Sequence, residues 1–307
     1  MAVTPGWIDD FGAALDAGDR KAALAVLDSR ATAHAGTANA ADKRAAAREL
    51  LRRCADAPAE VLVGWPRWLA RQDNPTARGL AALLITSIYP VQREEAVAIL
   101  QGLCDDANWE VREWGGSTAG ELLTHHFDEF CPILERWIAH PSPSVRRAVA
   151  LAARGAADRR HPERAGRLFD LIEPLLPDRA EYVRRNLGPF AVASLLARYP
   201  EQTIARIRQW ARSDDETVRW NAAMAFAAAP AGRHVAEALE ILSELARDER
   251  RLVRRAVSAA LRNLLKRDPD HVTPVLRSWL GDDRQPPAAL ASAVRAGARR
   301  RRPPLRP

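Results

Sequence analysis

Sulfur is scarce in this 307-residue chain, which has three cysteines and two methionines. Cys54, Cys104 and Cys131 are isolated, odd in number and outside any CxxC spacing. That argues against a zinc site or a disulfide framework and for reduced, packed thiols. Aromatic residues make up only 6% of the chain, and no stretch alternates β-branched with polar residues, so a β-sandwich is excluded. No apolar run approaches the ~18 residues of a membrane span. The start, Met1-Ala2-Val3-Thr4-Pro5, lacks the basic and apolar layout of a signal segment. A soluble, cytoplasmic protein that does not touch a membrane is expected. There is no phosphate-cradling glycine loop and no GxSxG. His125-His126 and His140 have no acidic or cysteine partners at ligand spacing, so no metal and no cofactor is expected.

What is abundant is alanine and leucine, within a hydrophobic share of 47%. A short phrase recurs through the second two-thirds: Val111-Arg112-Glu113, Val145-Arg146-Arg147, Val183-Arg184-Arg185, Val218-Arg219-Trp220 and Val253-Arg254-Arg255. The valines stand 34, 38, 35 and 35 residues apart. A fixed period of this size marks stacked helical hairpins, each burying its apolar face against its neighbours. Each unit has one grammar. A first helix ends in an aromatic turn (Trp137, Trp210, Trp279). A polar break follows with cap-type residues (Ser142, Asp178, Asp215, Asp248), and then the Val-Arg helix begins. This looks like a HEAT repeat, and the expected fold is an all-α, right-handed α-solenoid of HEAT-like helical repeats. Residues 1–75 are expected to form N-terminal capping helices, 76–285 the repeats, and 286–307 a basic, disordered tail containing Arg299-Arg300-Arg301-Arg302.

The formal charge is +7, with 46 Lys and Arg against 39 Asp and Glu, which favours a polyanionic partner. Equivalent positions of stacked helices line up, so the residue two after each valine forms a ladder: Glu113, Arg147, Arg185, Trp220, Arg255. Arginines in such a row suit duplex phosphates, which guanidinium forks bind in bidentate fashion. The invariant arginine one place earlier reads as a packing and hydrogen-bonding residue. Glu113 breaks the basic row. Trp109 stands one turn before it on the same helical face, and Trp114 is adjacent. A carboxylate beside indoles can hold an electron-poor cation by charge and cation–π attraction. Gly115-Gly116 inside a helix costs roughly 1 kcal/mol per glycine relative to alanine. Close approach of DNA or of a neighbouring helix would explain the pair.

The runs Asn108-Trp109-Glu110-Val111-Arg112-Glu113, Glu135-Arg136-Trp137-Ile138, Ser144-Val145-Arg146-Arg147-Ala148 and Glu181-Tyr182-Val183-Arg184-Arg185-Asn186-Leu187 resemble the AlkD and AlkC HEAT-repeat DNA glycosylases over roughly 80–210. The resemblance implies a monofunctional enzyme that excises cationic N3- or N7-alkylated purines from double-stranded DNA. It implies Glu113 as the carboxylate that stabilises an oxocarbenium-like sugar and Trp109 as its aromatic neighbour. Arg147 matches the family's cleft arginine, and the family's second cleft tryptophan falls near Phe190; Arg185, Trp220 and Arg255 would hold the backbone. Trp114 and Phe190 are the further candidate cleft aromatics. A monomer associated with the nucleoid is expected. The same basic groove would also serve a non-catalytic DNA-binding protein, or a scaffold for a protein partner.

Overall fold

A computed structural model of the chain describes residues 6–33 and 36–280. The basic tail expected over 286–307 lies outside the described residues. The described residues are helical apart from turns and a single isolated bridge, Ala31 to Ala38. No helix among them is long and apolar enough to cross a membrane. The chain is all-α and falls into two compact units that divide after Phe127.

In the first unit, α1 (Gly6–Asp16) and α2 (Arg20–Asp28) form a hairpin, followed by α3 (Ala40–Arg53), α4 (Ala59–Leu69), α5 (Pro75–Ile88), α6 (Arg93–Cys104) and α7 (Trp109–His125). α3, α5 and α7 stack side by side, while α4 and α6 form the second layer against α5 and α7. This is solenoid packing: each hairpin covers the apolar stripe of the one before it. The stripe is built of fully buried small and branched residues, among them Ala81, Leu84 and Ile85 of α5 and Ala119 and Leu123 of α7.

The second unit continues with α8 (Phe127–Ile138), α9 (Pro143–Ala156), α10 (Ala165–Ile172), α11 (Glu181–Asn186), α12 (Ala193–Arg198), α13 (Pro200–Ala211), α14 (Glu216–Ala225), α15 (Val235–Leu245), α16 (Arg251–Arg267) and α17 (Pro269–Leu280). A six-residue π-helical turn, Leu187–Val192, joins α11 to α12. One layer runs α9, α11 with the π turn, α14, α16; the other runs α10, α13, α15, α17. The aromatic turns close the outer helices, with Trp137 and Trp210 buried.

Caps set the register. Asn39, Asn74, Asn108, Ser142 and Asp215 each accept backbone N–H groups at the start of α3, α5, α7, α9 and α14. Three residues after the N-cap comes the inward position, occupied by Asp42, Ala77, Val111, Val145 and Val218; all but the half-buried Val218 are buried. Asp178 and Asp248, expected as caps, instead stand two residues before the N-caps Ala180 and Arg250. Their carboxylates accept from the Ala180 and Arg250 amides and pair with arginines of the preceding repeat. Those arginines are the invariant ones. Arg146 Nε lies 2.6 Å from Asp178, and Arg219 Nε 2.7 Å from Asp248. Arg78 makes the same link to Asp106 at 2.6 Å, which identifies Ala77-Arg78 as a further copy of the Val-Arg phrase. Arg112 and Arg146 also donate to loop carbonyls five and six residues upstream. Arg78, Arg112, Arg146 and Arg219 therefore tie loops to helices, as the invariance of the row suggested.

Candidate functional site

The first turn of α7 carries two outward-facing side chains of the expected kind. Asn108 caps it by accepting from the amides of Glu110 and Val111, which fixes where the helix begins. Trp109 is then the first helical residue and is half exposed, at 51%, in a chain with few exposed large hydrophobic side chains. Glu113, one turn on, is exposed on the same face. An indole and a carboxylate thus stand together on the surface of the first unit.

Beneath that turn lies a buried cluster. Glu110 points inward and accepts from Lys43 Nζ at 2.7 Å and from the Trp114 indole N–H at 3.3 Å; the Thr37 hydroxyl donates to its other oxygen. Lys43 is fully buried. Burial lowers its pKa, against the pull of Glu110. Burial pushes the Glu110 carboxyl up, yet the bonds from Lys43 and Thr37, the Lys43 charge and the Trp114 bond together hold it below its ordinary value. Trp114, expected as a cleft aromatic, is buried. Its ring is flanked by Lys43 Nζ, 5.3 Å from the centroid, and by the Arg44 guanidinium at 5.0 Å. The position three after the inward Val111 falls on the packed stripe, which is why it turns in. Gly115 is explained by its neighbour helix: a Cβ there would meet the Cys104 amide and thiol at 3.0 Å.

The second unit holds the remaining candidates. Arg147, expected on an open groove, is only 6% exposed, and its guanidinium lies over the Tyr182 ring at 4.6 Å. Arg184 covers Trp220 in the same manner at 5.2 Å, so cation–π contacts bridge successive repeats. Arg185 is exposed and bound to Glu181 one turn earlier at 2.6 Å. Arg255 is exposed, and no ion pair to it occurs among the described residues. Phe190 stands 50% exposed on the π turn with Arg154 5.9 Å from its centroid. That turn is held open by Gly188 and Pro189: a Cβ on Gly188 would strike the Asn221 carbonyl at 2.6 Å, and Pro189 has no N–H to give a helix. Asn221, fully buried, accepts from the Gly188 amide at 2.9 Å.

Trp109 and Glu113 thus share one face in the first unit, while Arg147, Arg185, Phe190, Trp220 and Arg255 belong to the second. Sequence reasoning missed Thr37, Lys43, Glu110, Tyr182, Arg154 and Asn221. Lys43 had a signal, since it sits four residues after its N-cap, where Arg78, Arg112 and Arg146 stand in later repeats.

A family model described as DNA alkylation repair enzyme matches residues 35–190 and again 187–296. No curated protein matches the chain. Among solved structures the chain is similar to smu.31 from Streptococcus mutans, at 18% identity and a TM-score of 0.51, over 58% of this chain and 89% of that one. It also matches the Escherichia coli protein YibA at 18% identity and a TM-score of 0.40, over 97% of this chain and 98% of that one. At this identity the first likeness speaks for the helical-repeat fold alone.

Proposed function

The chain belongs to the DNA alkylation repair enzyme family, and from that premise we propose that it hydrolyses the glycosidic bond of cationic N3- or N7-alkylated purines in duplex DNA. The observation that carries the reading is the exposed pair Trp109 and Glu113 on one face of α7. An alkylpurine already bears positive charge, so its bond to C1′ breaks without prior protonation. The electron pair of that bond goes to the departing base and neutralises it. Positive charge grows on C1′ and the ring oxygen, where the Glu113 carboxylate stabilises it. Water adds its oxygen to C1′ and gives up a proton, for which Glu113 is the acceptor at hand. The products are a neutral free base and an abasic deoxyribose. Trp109 offers a π face to the cationic lesion and its sugar.

Backbone contact falls to the exposed cations Arg185 and Arg255, and to Trp220, whose ring Arg184 covers. Arg147 is buried with its guanidinium over the Tyr182 ring, so its first role is to hold that ring. Phe190 extends the aromatic surface.

The test is chromatography of free base released from duplexes carrying N7-methylguanine, N3-methyladenine or the neutral lesion O6-methylguanine. Release of the first two and not the third is expected, because only they carry their own charge. Equal release of all three would contradict a charge-driven mechanism. No release with duplex bound would favour a DNA-binding protein without chemistry, and no duplex binding would favour a protein scaffold.

A further inference from the structure

Lys43 breaks the rule of its own position. In the later repeats the residue four after the N-cap is an arginine, and Arg78 and Arg146 pair with an aspartate just ahead of the next stacked helix. Lys43 instead passes α5 and reaches Glu110 on α7, 67 residues away. Gly79 leaves the passage: a Cβ there would lie 3.4 Å from the Lys43 Cδ and 3.4 Å from the Trp114 ring. The lysine is fully buried, and the carboxylate it meets is 16% exposed.

Stability does not explain such a pair. Two charges taken from water lose most of their attraction to desolvation, and apolar residues of equal volume often stabilise as much or more. What the pair adds is a direction. Glu110 lies between Trp109 and Glu113 on α7, and its two oxygens are taken up by Lys43, Thr37 and Trp114. Helix ends fray unless something other than their own hydrogen bonds ties them down. We propose that Lys43 and Glu110 are positioning residues that hold the first turn of α7 in one geometry, so that Trp109 and Glu113 present a fixed indole–carboxylate pair to the DNA; the catalytic part of this rests on the reading above.

The test compares the full-length wild type with Lys43→Met and with Lys43→Met/Glu110→Gln. The double variant removes both charges; its amide oxygen still accepts from the Trp114 indole N–H and its NH2 group can donate to the Thr37 hydroxyl, so no buried charge is left unpaired and it folds even where the single variant does not. Three quantities are read: the fluorine resonance of Trp109 in 5-fluorotryptophan-labelled protein, amide exchange at Glu113 and Trp114, and release of N7-methylguanine alongside duplex Kd. In the folded variants the Trp109 resonance should shift or broaden, and exchange should quicken at these amides but not in α14. The release rate should fall roughly 10–100-fold, the scale of a small misplacement, with Kd within about threefold of wild type. An unchanged resonance and unchanged exchange in the double variant would overturn the positioning role, whatever the release assay gives. A changed resonance in a protein whose wild type releases no base would leave the positioning role standing and reject the glycosylase reading alone.

Discussion

The amide of Gly188 donates to the side-chain oxygen of Asn221 at 2.9 Å, across the boundary between two stacked helices. The Asn221 amide group donates in turn to the carbonyls of Leu176 and Thr217, at 2.9 and 3.1 Å. A single buried side chain thus fixes the π turn that displays Phe190. Replacing Asn221 by alanine leaves the buried Gly188 N–H without a partner and costs on the order of 1–3 kcal/mol. Urea unfolding would show this as a lower midpoint at unchanged slope, and a loss under about 0.5 kcal/mol would mean the turn holds itself without Asn221.

Two glycines should resist substitution for reasons of space. Gly188→Ala drives a methyl into the Asn221 backbone, and Gly115→Ala presses one against Cys104. Backbone yields less than side-chain tips do, so each should lower stability by about 1–3 kcal/mol, with Gly188→Ala the worse. Gly102→Ala, where a Cβ meets nothing within 4 Å, should be neutral or slightly stabilising because alanine favours the helix. Thermal melts of the three variants decide the order.

Acid should weaken the first unit. Arg52, with Arg53, holds the Glu49 carboxyl at about 2 against an ordinary 4.5. Glu110 is also lowered. An acid whose folded pKa lies below its unfolded one binds fewer protons when folded. Its stabilisation is therefore complete above about pH 4.5 and disappears as pH falls towards 2. The wild-type melting midpoint should drop through that window, and Glu49→Gln should start lower at neutral pH and fall less. A midpoint that is flat between pH 4.5 and 2 would contradict this.

The two classes of arginine should separate experimentally. Arg185→Ala removes an exposed pair worth little, within about 0.5 kcal/mol of folding stability. If Arg185 meets a phosphate, the same change lowers the slope of log affinity against log salt by about 0.9. Asp178→Ala should do the reverse. It strips the half-buried Arg146 of its partner and destabilises the fold, leaving the salt slope of duplex binding unchanged.

The helices that carry the Val-Arg phrase, α7, α9, α11, α14 and α16, were legible because the phrase repeats. Val111, Val145, Val183 and Val253 all turn inward; Arg112 and Arg146 beside them tie loops to helices as read, whereas Arg184 packs over Trp220. The same slot upstream escaped notice because Ala77 stands where valine stands later, although its place 34 residues before Val111 was available as a signal. Periodicity carries no information on contacts that skip a repeat, so the reach of Lys43 past α5 to Glu110 could not be read. Nor could it show that Arg147 would lie buried over the Tyr182 ring, since the ladder rule places a Cβ and says nothing of what packs around the side chain. Trp114 was misjudged for another reason: adjacency to Glu113 along the chain was taken as adjacency in space, whereas neighbouring helical residues point about 100° apart.

The central claim is that the Glu113 carboxylate performs the chemistry beside Trp109. The most direct measurement is the single-turnover rate of N7-methylguanine release from duplex DNA for wild type and Glu113→Gln, with duplex Kd measured for both. Glu113→Gln keeps the size of the side chain while removing its charge and exchanging one acceptor oxygen for an NH2 donor. A fall of about 100-fold or more in rate with Kd within about threefold is expected. Equal rates in the two proteins would contradict the account and move the search for the catalytic group away from α7.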